Sequence, residues 1–116
     1  MTDSPITVRT ISERDEFLAH DALMQGVWGM SSPLVTVEML TAISHSGGYV
    51  AAAFADEQMV GASVGFLADH HGERALHSHI TGVIDSMRHA GIGRAIKLHQ
   101  RRWAAVRELH GLRRRG

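Results

Sequence analysis

Two hydrophobic rhythms divide the chain. Ile6-Thr7-Val8-Arg9-Thr10-Ile11 places apolar and polar residues in turn and is rich in β-branched side chains, which predicts a first strand. Ser12, with Glu13 and Asp15 just after it, predicts a helix start, since a hydroxyl cap and early acids suit the positive end of the helix dipole. Phe17, Leu18, Leu23, Met24 and Val27 give that helix an apolar stripe to Gly26 or Val27, and Trp28-Gly29-Met30-Ser31-Ser32-Pro33 breaks it. Thr36 predicts the cap of a shorter helix carrying Val37, Leu40 and Ile43, ended near Gly47-Gly48. Tyr49 to Ala55 is apolar almost throughout, as expected of a strand covered on both faces. A turn at Asp56-Glu57-Gln58 leads to a third strand, Met59 to Leu67, in which Gly61 and Gly65 mark a bulge or a close backbone approach. His70-His71-Gly72-Glu73 predicts another turn and Ala75 to Ile84 a fourth strand. From about Ala90 to Leu109 the rhythm is helical again, with Ile92, Ile96, His99, Trp103, Val106 and Leu109 or His110 as its buried stripe.

The predicted order is β-α-α-β-β-β-α. It implies an α+β fold of one domain over residues 1–116, a mainly antiparallel sheet flanked by helices. Composition narrows the chemistry. The chain has no cysteine, which excludes disulfides, a thiolate nucleophile and cysteine-bound zinc. No run approaches the ~18 apolar residues of a membrane-spanning helix, and Met1-Thr2-Asp3-Ser4-Pro5 lacks the layout of a signal peptide. A cytoplasmic protein without membrane partners is the expectation.

The formal net charge of zero conceals two unlike halves. Residues 1–87 carry three basic against eleven acidic side chains, a net of −8; residues 88–116 carry nine basic against Glu108 alone, a net of +8. The change of sign falls on Arg88-His89-Ala90-Gly91-Ile92-Gly93-Arg94-Ala95, between the fourth strand and the long helix. Backbone N–H groups at a helix start, freed of side chains by Gly91 and Gly93, form an anion cradle, so a phosphate-bearing ligand is expected there. Arg94 or Lys97 is placed to reach an outer phosphate. A Walker A loop would need Gly-Lys-Ser/Thr, and a dinucleotide fingerprint a third glycine in a parallel βαβ unit; the chain offers neither. A basic nucleic-acid-binding surface would also use the +8 half, but no base-reading motif or aromatic platform accompanies it.

Arg88-x-x-Gly91-x-Gly93 between a fourth strand and a long helix, after a β-α-α-β-β order, resembles the acyl-CoA-binding motif of the GNAT acetyltransferase superfamily. The resemblance implies acetyl-CoA as co-substrate, with its pyrophosphate on the loop from Arg88 through His89, Ala90, Gly91, Ile92 and Gly93 to Arg94 and Ala95. It also implies that Val83 and Ile84 bind the pantetheine arm through their main chain, and that a small-molecule or peptide amine accepts the acetyl group. Such transfer needs a base near the thioester. His77 and His79 are the candidates, sharing with Thr81 one face of the fourth strand, while Leu76, Ile80 and Ile84 face the core. Surface histidines, or half of a metal site, are the competing readings of His77-x-His79. Trp28 and Met30 lie where this family shapes its acceptor pocket.

Domains of that family continue past the long helix with a fifth strand, a helix that often carries an acid tyrosine, and further strands. Here Gly111-Leu112 would enter the fifth strand, Arg113-Arg114-Arg115-Gly116 reads as a frayed charge run, and the only tyrosine is Tyr49. The expectation is a C-terminally truncated relative whose fourth strand is an exposed edge. A homodimer through that strand or the long helix would cover it. The alternative to an N-acetyltransferase is a non-catalytic, oligomeric interaction module of the same fold.

Overall fold

The computed structural model describes residues 5–33, 35–107 and 112–114. Strand β1 (Ile6–Thr10) is followed by helices α1 (Arg14–Trp28) and α2 (Val37–His45), then by strands β2 (Tyr49–Ala55), β3 (Gln58–His70) and β4 (Glu73–Val83). A 3-10 turn, Asp85–Met87, precedes helix α3 (Ile92–Val106), and a short strand β5 (Leu112–Arg114) comes last. The sheet order is β1-β2-β3-β4-β5; the first four strands are antiparallel and β5 lies parallel to β4.

Helices cover both faces of β2, which is why its sequence is apolar throughout. On one face Val50 and Ala52 meet Phe17 of α1 and Val37, Leu40 and Ile43 of α2. On the other, Tyr49 and Ala51 meet Trp103 and Ala104 of α3, and Ala53 meets Ile92 and Ile96. Gly61 lets α3 come close: a Cβ there would stand 3.0 Å from Ile92 and 3.1 Å from Ile96.

Local chemistry sets the ends. Thr36 caps α2 as expected, its Oγ1 accepting from Met39 N–H at 3.1 Å. The cap of α1 is not Ser12: the Glu16 carboxylate accepts from the N–H groups of both Ser12 and Glu13 and also pairs with Arg9 at 2.7 Å. Burial works against ionisation of Glu16, yet Arg9 and those N–H groups hold its pKa below the usual carboxylate value. The hairpin between β3 and β4 is tighter than expected. His71 (φ 53°) and Gly72 (φ 81°) are both left-handed, as a two-residue turn requires, so His70 and Glu73 belong to the strands.

Three stripe assignments are corrected. In α1, Leu18 is exposed and His20 is buried. In α3 the buried line is Ile92, Ile96, Gln100, Trp103 and Ala104; Val106 is 78% exposed and His99 only partly covered. Leu109 and His110 lie outside the described residues. Of the basic tail, Arg113 and Arg114 lie in strand β5, and Arg115 and Gly116 lie outside the described residues. Leu112, Arg113 and Arg114 pair with Leu76, His77 and Ser78, so β5 covers the edge of β4 over those residues, and among the described residues no strand pairs with that edge from Ile80 to Val83.

Candidate functional site

The loop after β4 is built to present N–H groups. Arg88 N–H donates to Asp85 O (3.3 Å) and Ala90 N–H to Met87 O (3.1 Å), winding the chain toward Gly91. Gly91 sits at φ 77°, ψ 17°, where a side chain is strained, and caps α3. Ala95 N–H closes the first helical turn on Gly91 O at 3.0 Å. The N–H groups of Ile92, Gly93 and Arg94 therefore lie in the first turn, where the helix offers them no acceptor. Ile92 is fully buried and pins the helix start to the sheet, whereas His89, Ala90, Gly91, Gly93 and Arg94 are exposed and Ala95 is half-buried. Arg88 pairs with Asp85 at 2.9 Å, an exposed pair that contributes little stability and holds the guanidinium beside the loop.

Two recesses meet at this loop. A cleft of about 310 Å³ runs between Ser78–Thr81 of β4 and one face of α3: Gly93, Ile96, Lys97 and Gln100. Of the two cations named for an outer phosphate, Lys97 lines this cleft. A second recess, about 340 Å³, is bounded by Val27 and Trp28 of α1, by 81–83 of β4, and by Arg88 and Gly93. Trp28, 52% exposed, forms its rim. Beyond its chain neighbours and its own helix backbone, no described residue comes within 4 Å of a Cβ built on Gly93, so the bare backbone there opens onto both recesses rather than onto packing.

Ile84 N–H donates to Val60 O (3.0 Å) and its carbonyl accepts from Met87 N–H (3.0 Å). With Ile84 bonded inward, the alternation of an antiparallel ladder turns the main-chain groups of Val83 and Thr81 to the uncovered edge. Of the two expected pantetheine-binding residues, Val83 has its main chain toward the uncovered edge and borders the second recess, and Ile84 has its main chain occupied.

The histidines do not lie as strict alternation predicts. Val64 pairs with Ile80 and Gly65 with Ser78, leaving His79 as the extra residue of a β-bulge. Upstream of the bulge, Leu76 packs with Trp103 beneath α3; downstream, Ile80 packs with the α1–α2 core. His77, opposite Phe66, lies on the α1–α2 face, and the His79 ring stands edge-on to Phe66 at 5.1 Å. Thr81 is on the α3 face instead, its Oγ1 2.9 Å from Ser63 Oγ. Thus His77, His79 and Thr81 do not share a face, nor do Leu76, Ile80 and Ile84. His79 still lines the cleft. No cluster of three or more His, Asp or Glu side chains suited to a metal occurs among the described residues.

Residues not singled out in the sequence make the cleft's polar floor. Gln100, 3% exposed, donates from Nε2 to Ser63 Oγ (2.8 Å) and Ser78 Oγ (3.2 Å). The available signal was its phase: Ile92, Ile96 and Gln100 are four apart, so a polar residue occupies a buried rung. Next to it, Tyr49 Oη and His99 Nδ1 share a hydrogen bond at 2.7 Å; burial pushes the tyrosine pKa up, which keeps the phenol protonated. Burial, helped by Arg102 and Arg107, lowers the pKa of His99.

His20 predicts a pH response. Its Nε2–H donates to Ser63 O at 3.2 Å, and Nδ1 is buried without a partner among the described residues. Burial lowers its pKa despite the opposing pull of Ser63. On acidification the unfolded chain takes the proton first. The stabilising effect of neutral His20 is whole above the ordinary histidine value of about 6.5 and is lost as pH falls from there toward the lowered folded value. Urea midpoints should fall between about pH 7.5 and about pH 5.5, and fall less in His20→Asn. Equal slopes in the two proteins would exclude His20 as the source.

No protein-family model and no curated protein matches the sequence. Solved structures do. An aminoglycoside acetyltransferase from an uncultured soil metagenomic sample, in complex with sisomicin, superposes with a TM-score of 0.83 at 13% identity, over 96% of this chain and 77% of that one. An aminoglycoside N-acetyltransferase in complex with CoA gives 0.78 at 12% identity, over 99% and 79%. A ribosomal-protein-alanine N-acetyltransferase from Brucella melitensis biovar Abortus gives 0.75 at 14%, over 95% and 79%. Among the described residues no helix is long and apolar enough to cross a membrane. The chain has the fold shared by the GNAT acetyltransferases.

Proposed function

We propose that the protein is an acetyl-CoA-dependent N-acetyltransferase. One observation carries the reading: N–H groups of Ile92, Gly93 and Arg94 that no described residue accepts from open, through a glycine that packing does not require, onto a cleft between α3 and β4. A phosphate at that helix start is favoured by the dipole and the basic half of the chain. A thioester-bearing arm then runs along β4 past Val83 and Thr81. The acceptor amine enters from the Trp28 recess, attacks the thioester carbonyl and expels the CoA thiolate as the C–S bond breaks. The amine proton passes to a base, for which His79, at the bulge and on the cleft wall, is the better placed of the two histidines. Outward N–H groups of β4 are the donors available to the carbonyl oxygen as charge develops there. A homodimer belongs to the same reading, with the edge of β4 from Ile80 to Val83 as the surface to be covered. The fold's occurrence in a CoA-bound N-acetyltransferase supports the choice of co-substrate.

Acetyl-CoA at a hundredfold excess over its Kd should stabilise the protein by about 2.7 kcal/mol, read as a rise in melting temperature. Acetyl transfer across a panel of primary amines should then be measurable. A melting temperature indifferent to millimolar acetyl-CoA would remove the reading; a rise without turnover on any amine would reduce it to a CoA-binding module.

A further inference from the structure

We propose that Gln100 reads the amide portion of the acyl carrier, its Oε1 accepting a hydrogen bond from a ligand N–H partway along the cleft. The inference rests on the acyl-CoA reading above and adds a residue that recognises the arm rather than the phosphates. Gln100 follows Gly93 by seven residues on the same face of α3, about 10 Å up the helix axis from the N–H groups of the first turn. A ligand anchored there by its phosphates brings its arm, not its nucleotide, to Gln100. CoA has two secondary amides in that arm, each with one N–H to donate.

The side chain is fixed for the task. Both Nε2 hydrogens are spent, on Ser63 Oγ and Ser78 Oγ, and Ser63 is itself held by Thr81. With Nε2 on the two serines, Oε1 is the amide's remaining acceptor. Oε1 is not one of the buried polar atoms left without a partner among the described residues, which are His20 Nδ1 and Asp21 Oδ1; it belongs to a side chain on the cleft wall, where a ligand donor can reach it. Packing alone would favour an apolar residue on this rung, between Ile96 and Trp103. The serines satisfy Nε2 and hold the amide, and a ligand N–H in the cleft that Gln100 lines would take Oε1.

Two ligands separate the possibilities. CoA carries phosphates and arm; ADP carries a pyrophosphate and no arm. By calorimetric titration, Gln100→Leu should weaken CoA by about fivefold, the worth of one hydrogen bond, and leave ADP unchanged. Gln100→Met, whose flexible side chain fills an irregular gap, serves the same comparison should leucine not pack. Unchanged CoA affinity in a folded variant, or equal losses for CoA and ADP, would overturn the assignment while leaving the acyl-CoA reading in place. A wild-type protein that binds neither ligand overturns both.

Discussion

Replacing Gly93 with leucine is expected to abolish the acetyl-CoA-dependent rise in melting temperature while leaving the free protein at least as stable. The two effects have different physical origins. Gly93 lies within the first turn of α3, does not adopt a positive φ, and has open space where its Cβ would be. Glycine at such a place costs the helix roughly 0.8–1 kcal/mol relative to a good helix former, so leucine recovers that amount in the free protein. The same side chain fills the space over the N–H groups that the pyrophosphate would use, and about 2.7 kcal/mol of ligand stabilisation at a hundredfold excess over the original Kd disappears. Gly91 makes the contrast. At φ 77° any side chain is strained by about 1–2 kcal/mol, so Gly91→Leu should weaken the free protein as well. A thermal shift that survives in Gly93→Leu would place the ligand elsewhere.

Phe17→Ala should bring the largest loss of stability in the chain, about 3–5 kcal/mol of the 5–15 typical of a domain. Phe17 is 1% exposed and joins α1 to Val37 and Leu40 of α2 and to Val50 and Val64 of the sheet. Truncation leaves a cavity that two helices and two strands share, and none of them can close it alone. Leu18, its neighbour in the chain, is 46% exposed, and Leu18→Ala should change stability by no more than about 0.5 kcal/mol. Equilibrium denaturation in urea reads both. Similar midpoints for the two variants would mean that the α1–α2 layer is not part of the cooperative core.

These adjacent residues also show what the sequence could and could not reveal. Strands β1 and β2, the Thr36 cap and the glycine loop were legible because each rests on a short-range rule: alternation, a hydroxyl cap, a backbone without side chains. The stripes of α1 and α3 were legible in phase but not in content. Hydropathy favours Leu18 and Val106 over His20 and Gln100. The buried polar pair is retained because it finds partners on β3 and β4, Ser63 and Ser78, 43 and 22 residues away in sequence. Such partners are tertiary and leave no local trace. The bulge at His79 was hidden for the same reason: an extra residue in β4 is defined only by counting against β3, and it shifted every facing assignment downstream of it. The three-residue strand β5 is too short and too basic for any periodicity to announce, and its place is set by the parallel pairing with β4. The site was therefore half readable. The glycine loop and its free N–H groups could be read from spacing, whereas Gln100 and its serine partners on the cleft wall required the fold.

The mouth between α1 and the glycine loop is gauged by a single hydrogen atom. A Cβ at Gly82 would stand 3.1 Å from Met24 Sδ, 3.3 Å from Val27 Cγ1 and 3.5 Å from Trp28 Nε1, so the absence of that carbon lets the last turn of α1 settle onto β4. Residue 82 acts as a shim under the tryptophan rim. One methyl group there would press Met24 and Val27 back by a few tenths of an ångström, and the tryptophan rim of the recess rests on the same spot.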